Sequence, residues 1–133
     1  MKRLLTTVFL LTLTSLANAD TDSPNNVFMP ANVLLTVFKQ AIKPEDEWNE
    51  FDGIGYTLCV AYLSGITDLM ITHGEDRSAI AACFPDNATR LQFASIVVDY
   101  LESTPESHKL SGSQIVVSAA RKAYPCDGNA DGS

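Results

Sequence analysis

The chain has 133 residues, of which 46% are hydrophobic and 19% charged, and it carries a net charge of −7. That size suits one domain with one core. The acidic balance argues against nucleic acid or an anionic membrane as partner, since both attract Lys and Arg. It fits a basic partner and plain solubility equally well.

Residues 1–19 have the pattern of an export signal. Lys2 and Arg3 form a positive start, Leu4 to Leu16 an apolar run, and Ala17-Asn18-Ala19 a small-residue cleavage site. The run is too short and threonine-rich for a membrane span, which needs about 20 apolar residues. The mature product is therefore expected to be exported, soluble and free of membrane. The stretch "DTDSPNN" is polar, and residues 20–28 read as a disordered linker.

A first helix is expected from about Ala31 to Ile42. Leu34, Val37, Phe38 and Ala41 follow the rhythm of one helical face, with Leu35 and Ile42 widening it. Pro44 ends it, and Glu45-Asp46-Glu47 begins the next segment with negative charge. A second helix is expected from about Trp48 to Ile71, with Gly53 and Gly55 as places where it bends or splits. Its large apolar residues cover most of the circumference, which predicts a central helix packed on several sides. Residues 73–86 read as a loop with a charged tip at Glu75, Asp76 and Arg77.

"TRLQ" at 89–92 is a capping box, which places a third helix from there to about Glu102. Its expected buried face is Leu91, Ala94, Val97, Val98 and Leu101. Pro105 breaks the chain, and "SGSQ" at 111–114 repeats the capping box. The fourth helix should bury Ile115, Val116, Ala119 and Ala123 before Pro125. Residues 127–133 read as a disordered tail. The fold class is thus all-α, a small bundle of about four helices over residues 29–126.

Cys59, Cys83 and Cys126 all lie beyond the export signal, so an oxidising compartment favours one disulfide and leaves one thiol. Helices three and four are antiparallel neighbours, which puts Cys83 and Cys126 at the same end of the bundle. Cys59, in the middle of helix two, is badly placed to meet either. The expected pair is Cys83–Cys126. The spacings do not match a zinc site, and no cofactor or metal is expected.

No catalytic set stands out. His73 and His108 lie in expected loops, and neither accompanies a nucleophile-elbow pattern. Cys59 reads better as a buried thiol than as half of a thiol dyad. The feature that most needs explaining is "CVAYLSGITD" at 59–68, with hydroxyls, a glycine and a carboxylate inside an apolar helix. Ala61 and Gly65 are small residues one turn apart, with Ser64 and Asp68 beside them as polar groups satisfied in a buried setting. This is read as a helix-packing seam, within the bundle or between two protomers.

The order of these features closely resembles the Rap/Tai family of periplasmic immunity proteins. The pattern has Cys59, Tyr62, Gly65 and Asp68 on one helix, then Cys83 and Pro85 before a helix capped by Thr89 and Gln92. It continues through Tyr100 and Leu101, then Pro105 and Glu106, and closes with Pro125 and Cys126. The resemblance implies a small helical homodimer that is not an enzyme. It would bind and occlude a peptidoglycan amidase delivered by type VI secretion, using a projecting loop. The contact residues expected on that basis are Glu75, Asp76 and Arg77 at one tip and Glu106, His108 and Lys109 at another. A periplasmic holdase or stress protein, equally small and helical, is the alternative.

Overall fold

The computed structural model describes residues 29–73 and 79–126. The expected export signal, linker, charged tip at 75–77 and tail lie outside the described residues. Four helices occur in order: α1 (Ala31–Ile42), α2 (Asp52–His73), α3 (Arg90–Ser103) and α4 (Gly112–Ala123). Two 3₁₀ turns, Glu45–Glu47 and Pro105–Lys109, sit in the connections. The fold is all-α, and its only bridge among the described residues is an isolated one, Pro30 to Ser111.

Local chemistry accounts for the helix ends. Thr89 accepts from the Gln92 N–H while the Gln92 side chain accepts from the Thr89 N–H, and Ser111 and Gln114 repeat the arrangement. The start of α2 is closed by two short bonds. Asn49 N–H donates to the Asp52 carboxylate, and Phe51 N–H donates to Asn49 Oδ1. This turn moves the helix start from Trp48 to Asp52. Gly53 and Gly55 therefore lie in the first turn and neither splits the helix.

α1 buries Leu34, Val37, Phe38 and Ala41, the face its periodicity predicts. It packs on α2 and α3, and α3 packs on α4. The core between them holds Cys59, Leu63 and Met70 from α2, with Val97, Leu101, Ile115 and Val116 from the other two. Phe38 meets Tyr62 edge to face, with ring centroids 6.5 Å apart. On α3 the buried aromatic is Phe93, which clusters with Phe84 and Tyr124, while Leu91 is exposed. On α4 the last buried residue is Ala120, and Ala123 is exposed.

The expectation that α2 is central needs correcting. α1 occupies that position, and α2 covers only one side of it. Ile54, Leu58, Leu69 and Ile71 are all exposed, Ile54 to 58%. Apolar composition measures how much of a helix is able to be buried, and neighbours on this one reach a single face.

The disulfide is Cys83–Cys126, with Cα atoms 4.9 Å apart, and Cys59 is free and buried. It joins the chain leading into α3 to the chain leaving α4, where Cys83 N–H also donates to Tyr124 O at 2.9 Å. At the other end, Gly112 N–H donates to Met29 O at 2.8 Å and holds the start of α1 against the start of α4. A Cβ at Gly112 would stand 2.6 Å from Tyr62 Oη and 2.8 Å from Met29 O, so only glycine fits there.

Candidate functional site

Nucleophilic chemistry finds little support in the geometry. Cys59 is fully buried in the core, and burial pushes its thiol up to about 12, which keeps it protonated and unreactive. His73 is fourteen residues further along the same helix, about 21 Å away at the helical rise. His108 donates from Nε2 to Leu101 O at 3.1 Å. Among the described residues, no group of His, Cys, Asp and Glu is placed to hold a metal.

The 3₁₀ turn Pro105–Lys109 is a well-held projection. Buried Ser107 donates from Oγ to Thr104 O at 2.6 Å, and its N–H donates to the same carbonyl at 2.9 Å. His108 pins the turn back onto the end of α3. The backbone is therefore fixed from inside while Glu106, His108 and Lys109 are exposed. Such a turn presents charge without a large ordering cost on binding.

The residues of the expected seam do not share a buried setting. Ala61, Gly65 and Asp68 are exposed, and a Cβ at Gly65 would meet nothing within 4 Å. Ser64 is half-buried and accepts from Arg90 Nε on α3 at 2.9 Å. Asp68 is thus not a buried satisfied carboxylate, and no seam passes through Gly65 inside the bundle. What lies there is an open stripe: Phe51, Ile54, Leu58, Ala61, Gly65, Leu69 and Thr72 recur every three or four residues. No charged residue interrupts it, and Phe51 and Leu69 are 60% and 47% exposed.

A groove escaped the sequence reading. It has a volume of about 460 Å³ and runs between the end of α1, the first 3₁₀ turn and the starts of α2 and α3. Trp48 and Tyr56 form one wall, with ring centroids 5.6 Å apart, and Leu91 forms part of the other. Trp48 is anchored by its Nε1, which donates to Lys43 O at 2.8 Å. Lys43 in turn pairs with buried Asp52 at 2.8 Å. The Lys43 hydrogen bond, then the Asn49 N–H, hold the Asp52 carboxyl below its ordinary range despite its burial. The one available signal was the cluster of Pro44, Trp48 and Tyr56, and nothing local says that α3 closes over it.

Comparison with protein families matches residues 31–126 to the Rap1a immunity proteins. Searches of curated proteins and of solved structures return no match. The matched span runs from the first residue of α1 to the second cysteine of the disulfide, the whole of the helical bundle described above. The chain belongs to the Rap1a immunity protein family.

Proposed function

We propose that this protein is a periplasmic immunity protein that binds and occludes a peptidoglycan amidase delivered by type VI secretion, and performs no chemistry itself. The family match over residues 31–126 carries the reading. The Cys83–Cys126 disulfide supports it, because such bonds persist in oxidising compartments. In this reading residues 1–19 direct export and are removed, 20–28 link to the domain at 29–126, and 127–133 form a tail. The toxin contacts are the tip at Glu75, Asp76 and Arg77 and the rigid turn carrying Glu106, His108 and Lys109.

The protein acts as a homodimer, with the exposed stripe of α2 as the seam. Two copies lying antiparallel about Ala61 and Gly65 would approach closely at those small residues, with Leu58 of each copy against Leu69 of the other and Ile54 against Thr72. A pairing along the length of α2 buries on the order of 1,000 Å² in total, the size at which specific interfaces begin.

The test is inhibition. Purified protein should block hydrolysis of peptidoglycan by its amidase at stoichiometric amounts, and Glu106→Lys with Lys109→Glu should weaken the block. A protein that binds no amidase and protects no cell ends the reading. The uncovered apolar stripe is the one observation that favours a holdase. Suppression of client aggregation at low pH, with dye binding to newly exposed apolar surface, would support that alternative.

A further inference from the structure

The groove beside Trp48 has most of its polar lining already engaged. Thr89 and Gln92 close the capping box of α3, Ser95 Oγ donates to Leu91 O, and the Lys43 ammonium is neutralised by Asp52. Three things remain for a ligand. They are the adjoining rings of Trp48 and Tyr56, the apolar side chains of Ile42 and Leu91, and the carboxylate of Glu45. Among the described residues Glu45 has no ion-pair partner, and the neighbouring Asp46, Glu47 and Glu50 are exposed.

We propose that this groove receives a lysine or arginine side chain from a basic segment of a protein partner. The aliphatic stem of such a side chain lies along Leu91 and Ile42, as long cationic side chains lie on apolar surface. Its charged head reaches the aromatic faces and Glu45, where attraction to the rings and to the carboxylate act together. An uncharged apolar segment would bury the Glu45 carboxylate without a partner, which is costly. An anionic one would meet four carboxylates on one short stretch. If the protein is an immunity protein, as proposed above, the segment belongs to the toxin. The groove's chemistry does not depend on that reading.

The groove also stays free in the proposed dimer. At 100° per residue, Tyr56 lies about 180° around α2 from the centre of the exposed stripe. A second copy on the stripe therefore leaves Trp48 and Tyr56 open.

Trp48 is the only tryptophan of the chain, so its fluorescence reports the groove directly. The experiment titrates the mature protein with an unstructured octapeptide carrying four Lys and Arg residues among Gly and Ser, and with its glutamine counterpart. Saturable change in Trp48 emission is expected with the cationic peptide alone. Glu45→Lys should weaken it about fivefold or more. Glu102→Lys, the same charge change at an exposed position in the last turn of α3, should alter it less than about twofold. Equal weakening by both variants would reveal diffuse attraction to an acidic protein and overturn the proposal. Equal binding of the glutamine peptide, or no saturable change, would overturn it too. No amidase enters the experiment, so its failure leaves the immunity reading standing, and failure of that reading leaves the groove testable.

Discussion

The Lys43 ammonium stands 2.8 Å from Asp52 Oδ2, and that oxygen also accepts the Asn49 N–H at 2.7 Å. One buried carboxylate thereby ties the end of α1 to the start of α2 and sets the loop that carries Trp48. Its other oxygen, Oδ1, is buried without a hydrogen-bond partner among the described residues. The carboxylate is held by its charged and backbone donors against the cost of burial.

Because the folded protein lowers the Asp52 pKa, the pair adds stability above the ordinary carboxylate value of about 4. That stability is lost as pH falls from there through the lower folded value. Asp52→Asn should reduce the melting temperature at neutral pH and flatten its decline in acid. Thermal melts of both proteins across pH 2–7 check this, and parallel acid limbs would contradict it.

Two glycines should respond with opposite signs. Gly112→Ala forces its Cβ against Tyr62 Oη and a backbone carbonyl, and should destabilise by about 1–3 kcal/mol. Gly65→Ala meets open space in mid-helix, and should stabilise the monomer by about 0.5–1 kcal/mol. Denaturant titration reads both, with dilute protein used for Gly65→Ala.

The dimer seam makes a separate prediction. Leu58→Glu places a charge on the uncovered stripe, at a position already exposed in the monomer. Sedimentation should show it monomeric at concentrations where the parent protein is dimeric, with unchanged helix content. A monomeric parent protein would remove α2 as a self-association surface.

The two kinds of cysteine should separate cleanly. Replacing Cys83 and Cys126 with Ser should cost about 2–4 kcal/mol, since the bond closes a 43-residue separation. Cys59 should resist alkylation in the native state and react on unfolding, because it is fully buried and held protonated. Mass spectrometry after timed labelling distinguishes the three.

Removal of a cap should act locally. Thr89→Ala deletes the acceptor for Gln92 N–H and should cost about 1 kcal/mol. Hydrogen exchange should show the loss confined to the first turn of α3.

Much of the architecture was readable because its causes are local. The periodic face of α1, the capping boxes at Thr89 and Ser111, and the prolines that end elements act within a few residues of themselves. The cysteine pairing derives from them, since two antiparallel helices bring the segments before one and after the other together. Which of several apolar faces finds a neighbour is a non-local matter. Leu91 and Phe93 were equally fit for burial by type, and the disulfide end decided for Phe93 by supplying Phe84 and Tyr124. The same holds for "CVAYLSGITD": composition promised a buried seam, and the bundle left Ala61, Gly65 and Asp68 in the open. The groove is the clearest case, because its walls come from residues 41–56 and 89–95. Sequence by itself determined the helices, their caps and the disulfide. Only tertiary structure decided which apolar surface the protein keeps for its own core and which it leaves uncovered.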